Sequence, residues 1–283
     1  MLNKHSNPLT DILHTTVRIE CMTNNGISTG TGFFFMFQKD IVSEGTGIPC
    51  IVTNKHVIED AISGKFIVSG RNEDGSRDLN NHSEYTLPNF ESQFIPHPDP
   101  NIDLAIFPMS NMLDEFERAK KSLYYVFLSK ENIPSKSLFE KIPPMNDIMM
   151  IGYPNGIWDF RHNLPIIRKG ITATHPNLPY CGKSEFMIDA ACFPGSSGSP
   201  VLLNYNGAHL DPETNMITTG PKILLIGVLW GGPQYSTTGE IIIANVPTAN
   251  KPIAVSNIPN NLGFVIHIDR VLDFENFFSQ SNK

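Results

Sequence analysis

Three side chains in this sequence could share the work of acyl transfer: the imidazole of His56, the carboxylate of Asp103 and the hydroxyl of Ser197. The chemistry would be attack by a hydroxyl whose proton passes to an imidazole, with a carboxylate fixing the imidazole's tautomer and stabilising its cation. Ser197 lies in Phe193-Pro194-Gly195-Ser196-Ser197-Gly198-Ser199-Pro200, with glycine two residues before it and one after. Glycine tolerates the dihedrals of a sharp turn. Such a turn can aim the N–H groups of Gly195 and Ser197 at one point, where they would hold a developing oxyanion. Ser196 and Ser199 lack a glycine two positions upstream, so they read as a loop residue and a hydrogen-bonding neighbour. Taken alone, the segment reads as readily as a Gly/Ser turn before the strand Val201-Leu202-Leu203.

The other two residues follow from the elements around them. His56 stands just past the apolar run Cys50-Ile51-Val52-Thr53-Asn54, a strand that would hold it rigidly at a cleft, although alone it could equally be a structural or solvated histidine. Asp103 falls inside Ile102-Asp103-Leu104-Ala105-Ile106-Phe107. A carboxylate buried in an apolar strand is costly unless a donor meets it, which makes Asp103 the preferred partner for His56. Asp99, in the proline-rich loop Ile95 to Asn101, has no such need, and His97 reads as a loop residue.

From Thr15 onward, short runs rich in β-branched and aromatic residues alternate with glycine, proline and asparagine, which predicts an all-β chain. Thr16 to Cys21, Gly30 to Phe37, Cys50 to Asn54, Lys65 to Val68, Glu84 to Leu87 and Ile102 to Phe107 are the strands of a first half, with a polar hairpin tip around Asn72 to Asn81 and a turn at Glu44 to Gly47. Residues 111–122 break the pattern as a short amphipathic helix or linker. Strands resume at Leu123 to Leu128, Asp147 to Pro154, Arg168 to Thr174, Glu185 to Asp189, Val201 to Leu203, Leu224 to Trp230, Ile241 to Ala244 and Gly263 to Ile268. The helical spacing of Val271, Leu272, Phe274, Phe277 and Phe278 gives a terminal helix over about 269–279.

Composition narrows the function classes. Lys plus Arg number 21 against 28 Asp plus Glu, a net charge of −7 without a basic run, so no nucleic acid or anionic membrane is expected as partner. No apolar stretch reaches the ~20 residues of a membrane span. The first residues contain no apolar segment of signal-peptide length, so a cytoplasmic protein is expected. Cys21, Cys50, Cys181 and Cys192 have no metal-ligand spacing and read as reduced, mostly buried thiols; no cofactor or metal is expected.

The chain order His56, Asp103, Ser197 is that of chymotrypsin-like proteases, whereas α/β-hydrolases run Ser, Asp, His. The separations leave room for one six-stranded barrel per half. Gly30-Thr31-Gly32-Phe33, Ile51 to Val57, Ile102 to Ala105, Ile151-Gly152-Tyr153-Pro154, Asp189-Ala190-Ala191, Pro194 to Pro200 and Gly263-Phe264 resemble HtrA/Deg proteases and bacterial glutamyl endopeptidases in the same sequence. Ser197 to Val201 and Gly227 to Gly232 are closer to the second group. The resemblance implies a serine endopeptidase built from two packed β-barrels, one at 12–110 carrying His56 and Asp103 and one at 141–283 carrying Ser197 and the terminal helix, joined through 111–140. It also implies a substrate strand pairing with the edge at Trp230 to Gly232.

In proteases of this kind, residues just ahead of the nucleophile and the strand Gly227 to Gly232 wall the pocket for the residue before the cut. Glutamyl endopeptidases place a threonine and a histidine there to hold a carboxylate, and here Cys192 and Leu229 stand instead. Neither can neutralise a buried charge. With Ala191 as a further wall, and Trp230 and Gly231 on the substrate edge, the pocket should take an apolar side chain; Asp189 is read as structural. The sequence shows no PDZ domain and no propeptide, so something other than a zymogen cut must order the oxyanion loop. Polypeptide is the expected substrate, and a regulatory protein partner could act through the long loops Tyr205 to Lys222 and Pro233 to Leu262. The alternative is a catalytically inactive barrel pair used as a binding module.

Overall fold

The structure, a computed structural model, describes residues 8–38, 47–205, 207–211, 216–240 and 253–280. After the single turn α1 (Pro8–Asp11), the first half consists of β1 (Thr16–Thr23), β2 (Gly26–Gln38), β3 (Gly47–Thr53), α2 (Lys55–Ile58), β4 (Ser63–Arg71), β5 (Arg77–Pro88), β6 (Ile95–Pro96) and β7 (Ala105–Pro108). Helix α3 (Ser110–Arg118) and the short strands β8 (Leu123–Tyr124) and β9 (Leu128–Ser129) follow. The sheet runs β5-β4-β1-β2-β3-β7-β6, with β8 on β4 and β9 on β2.

This half has the barrel-like arrangement expected, with nine strands in place of six. Its sheet path stays open between β5 and β6. Strand β6 is two residues long and ends in Pro96, which has no N–H to offer a further neighbour. The run expected as one strand at Leu123 to Leu128 is instead divided between β8 and β9. The hairpin tip is also tighter than expected, because β5 starts at Arg77.

After helix α4 (Lys136–Lys141), the second half is a closed barrel of six strands in the order β10-β11-β12-β19-β16-β13. These are β10 (Asp147–Gly152), β11 (Ile166–Thr172), β12 (Glu185–Asp189), β13 (Pro200–Tyr205), β16 (Lys222–Gly231) and β19 (Leu262–His267). The long loops carry two-stranded sheets of their own, β14 (Ala208–Leu210) with β15 (Ile217–Thr219) and β17 (Gln234–Glu240) with β18 (Ile253–Pro259). The expected strand at Ile241 to Ala244 and most of the turn at Glu44 to Gly47 lie outside the described residues.

Strand alternation sets the two cores. On β2, Phe34 points among Ile19, Ile51 and Phe66, while Phe33, Phe35 and Phe37 join the core shared with the second barrel and α5 (Asp269–Gln280). The α5 stripe of Val271 and Phe274 is fully buried, with the Phe274 ring 6.2 Å from Phe37. His97 ties the proline-rich loop to this helix: it is 4% exposed, and its Nε2 lies 3.2 Å from Asp273 and 3.1 Å from the Arg270 carbonyl. Its role is thus the connection between loop and helix. Amphipathic α3 buries Met112 and Phe116 and leaves its charges in solvent. Among the described residues no helix is long and apolar enough to cross a membrane. Cys21, Cys50 and Cys192 are buried free thiols, and Cys181 is exposed.

Candidate active site

His56 is the second residue of α2, the turn that begins as soon as β3 ends. Its Nδ1 lies 2.5 Å from Asp103 Oδ2, and its backbone N–H donates to Asp103 Oδ1 at 3.1 Å. Asp103 is not inside a strand, as the sequence suggested, but in the turn before β7. The ladder explains the difference: Thr53, the last residue of β3, pairs with Ala105, so nothing upstream has a strand to pair with. Asn54, fully buried, donates to the Asp103 carbonyl at 2.7 Å and fixes that turn. The pair faces solvent, with side chains 41% exposed for His56 and 24% for Asp103.

Ser197 approaches from the second barrel. The strand β2 stretch Gly30-Thr31-Gly32 touches both partners: Gly30 packs against Val57, next to His56, and the Thr31 N–H donates to the Ser197 carbonyl at 2.9 Å. The Ser197 hydroxyl donates to the Trp230 carbonyl at 3.3 Å. The structure therefore joins His56 to Asp103, and it leaves the serine hydroxyl on Trp230 rather than on the imidazole.

The loop around Ser197 is held by its carbonyls. Phe193 accepts from Ser196 N–H, Pro194 from Asn155 N–H at 2.5 Å, Gly195 from the Thr31 hydroxyl at 2.9 Å, Ser196 from Ser199 N–H, and Ser197 from Thr31 N–H. By contrast, the N–H groups of Gly195 and Ser197 meet no acceptor among the described residues. In the trans peptide between Pro194 and Gly195, the carbonyl turned to Asn155 sends the Gly195 N–H the opposite way. Gly195 holds φ at +84°, a conformation that side-chain-bearing residues rarely take. The Ser196 and Ser199 hydroxyls are buried without a hydrogen-bond partner among the described residues, so Ser199 is a neighbour through its backbone alone.

Of the residues expected to wall the pocket, Cys192 and Leu229 pack together in the core. Cys192 and Leu229, 8% and 2% exposed, flank Gly263, where an added Cβ would crowd the Cys192 sulfur, a Leu229 methyl and Ile188. Gly263, read in the sequence only as part of a motif, is the residue whose missing side chain lets Cys192 and Leu229 pack there. Burial pushes the Cys192 thiol up to about 12, so it stays a neutral apolar group. Ala191 is half-buried, and a Cβ at Gly231 would meet nothing, an open edge. The Trp230 indole points elsewhere: it stacks on Phe264 and donates to Glu185 at 3.0 Å, leaving only its carbonyl at the site. Asp189 is exposed. Arg168, unmarked in the sequence, lays its guanidinium over the Phe193 ring at 4.9 Å and has no ion pair among the described residues.

Compared with known proteins, residues 30–209 match the trypsin-like peptidase domain family. The chain belongs to the trypsin-like peptidase family. No curated protein matches it. Among solved structures, this trypsin-like peptidase is similar to the HtrA-type protease AlgW with tripeptide, at 16% identity over 96% of this chain and 63% of that one, TM-score 0.46. It is also similar to the serine endoprotease from Yersinia pestis, at 15% identity over 96% and 65%, TM-score 0.43. A third is the Rv3671c protease from M. tuberculosis in its active form, at 14% identity over 94% and 82%, TM-score 0.41. The trypsin-like chain thus spans less than two thirds of the length of the AlgW and Yersinia chains.

Proposed function

We propose that this chain is a serine endopeptidase that cleaves polypeptides through a Ser197 acyl-enzyme, preferring an apolar residue before the cut. The observation that carries the reading is the Ser197 loop, where five successive carbonyls are engaged and the N–H groups of Gly195 and Ser197 meet no acceptor among the described residues. Two unengaged donors beside a serine hydroxyl suit a developing oxyanion, and a mere binding module has no use for them.

In the reaction, a substrate strand pairs with the Trp230 carbonyl and displaces the Ser197 hydroxyl, which turns to His56. His56 takes the hydroxyl proton as the oxygen attacks the scissile carbonyl, and the Gly195 and Ser197 N–H groups hold the oxyanion. Collapse breaks the C–N bond, and the amine leaves with the proton from His56. Water, deprotonated by His56, then hydrolyses the ester and restores Ser197. Asp103 keeps the His56 proton on Nδ1 and stabilises the imidazolium.

Cys192, Leu229 and Gly263 supply an apolar pocket in which each substrate methylene discriminates by only ~1–3 kcal/mol, so selectivity is graded. Cleavage of a peptide library tests this: products ending in apolar residues are expected. Cutting mainly after acidic residues would overturn the apolar pocket and point to Arg168 as the group that reaches it. The loops bearing β14–β15 and β17–β18 are proposed as the place where a partner gates access. Unchanged hydrolysis of folded proteins after either loop is shortened would remove that part of the proposal.

A further inference from the structure

Gly195 sits at φ +84° in the loop around Ser197, and both peptides that flank it must be fixed if its N–H is to face the substrate. Asn155 N–H holds the Pro194 carbonyl, as described above. The carbonyl of Gly195 itself is held by one side chain from the other half of the molecule, the Thr31 hydroxyl at 2.9 Å. Thr31 is fully buried, and every polar atom it has is used. Its N–H donates to the Ser197 carbonyl, its hydroxyl also accepts from Tyr153 N–H at 3.1 Å, and its carbonyl accepts from the Thr53 hydroxyl at 2.7 Å.

We propose that Thr31 is a positioning residue that orders the oxyanion loop, an inference that rests on the serine-peptidase reading of the same site. The hydroxyl can donate only one proton, and the Tyr153 N–H occupies its acceptor side, so that proton is directed to Gly195. Ser196, next to the nucleophile, holds the loop only through its backbone, its buried hydroxyl meeting no partner among the described residues. The side-chain bond that fixes the Gly195 carbonyl therefore comes from across the interface between halves. Thr53 bonds the Thr31 carbonyl and its chain neighbour Asn54 bonds the Asp103 carbonyl, so adjacent residues tie the oxyanion loop and the turn that carries the acid to one segment.

The tests are Thr31→Val, which keeps shape and removes the hydroxyl, and the pair Thr31→Ser and Thr31→Ala, which differ in the hydroxyl alone. Losing an oxyanion donor outright costs ~10²–10³ in kcat, and loosening it should cost less, ~10–100-fold. The fall is expected in kcat with KM nearly unchanged. A peptide boronate, whose tetrahedral adduct uses the hole, should weaken in proportion to kcat/KM, while a product peptide binds as before. Thr31→Ser should regain most of the loss and Thr31→Ala should not. If Thr31→Val does not fold, the Ser and Ala variants decide alone. Wild-type kcat and boronate affinity in the hydroxyl-free variants would overturn the proposal, as would equal losses in Thr31→Ser and Thr31→Ala. An inactive wild-type enzyme would instead overturn the serine-peptidase reading on which it stands.

Discussion

His56 and Ser197 are anchored to the same stretch of β2, yet the two sides of the cleft are built on different terms. The His56 side is open: a one-turn helix, an imidazole about two-fifths exposed, and one carboxylate that meets both its ring and its backbone. The Ser197 side is closed, with Ser196 and Ser199 at most 1% exposed and five carbonyls in a row engaged. In the proposed reaction His56 must rotate, change charge and exchange protons with substrate, so an exposed mount suits it. The oxyanion donors must not move as charge develops, so a rigid, desolvated mount suits them. Substitutions on the first side should therefore remove chemistry with little loss of stability, and substitutions on the second should disturb both.

The largest expected effects separate the sides directly. Ser197→Ala and His56→Ala should each lower kcat by ~10⁴-fold or more, and the double variant should be little worse, because the residues act as a unit. Equal and independent losses in steady-state kinetics would break the comparison. Asp103→Asn should cost ~10³–10⁴ in kcat by favouring the wrong tautomer, with an unfolding midpoint close to wild type because the site is exposed.

Smaller effects sharpen it. Gly263→Val places methyls against Cys192, Leu229 and Ile188. It should cut kcat/KM for large apolar residues and spare alanine, with destabilisation of ~1–3 kcal/mol from overpacking; denaturant unfolding and a matched substrate pair would measure both. Away from the cleft, burial and then Arg77 hold the His14 pKa down at about 4, against an ordinary 6.5. The unfolded chain takes that proton more readily, so the contribution is whole above pH 6.5 and lost as pH falls toward 4. Its size is at most ~3 kcal/mol. Denaturation midpoints across that range should fall in wild type and flatten in His14→Phe.

Much of the architecture could be read from residue types. The alternation that places Phe34 in one core and Phe33, Phe35 and Phe37 in the other is written in β2, and the spacing of Val271 and Phe274 marks α5. Asp103 was legible as the partner of His56 because a carboxylate within an apolar run needs a donor, whereas Asp99 in its loop does not, but its place in a turn was not, since only the Thr53–Ala105 register ends the strand there. The open path of the first sheet depends on Pro96 at an edge, a tertiary fact. Thr31 and Gly263 were hidden for a common reason: a hydroxyl that reaches Gly195 and a hydrogen that leaves room for Cys192 are defined by residues far along the chain.

Ser197 is proposed as a nucleophile activated by His56 beside two N–H donors that meet no acceptor among the described residues. Reaction with a fluorophosphonate, followed by mass spectrometry of the digested protein, tests it most directly, because the reagent needs both an activated hydroxyl and an oxyanion site. One adduct per chain on Ser197 is expected, lost in Ser197→Ala and slowed by orders of magnitude in His56→Ala. Absence of labelling in the folded wild-type protein, or labelling of Ser196 or Ser199 at the same rate, would contradict the account.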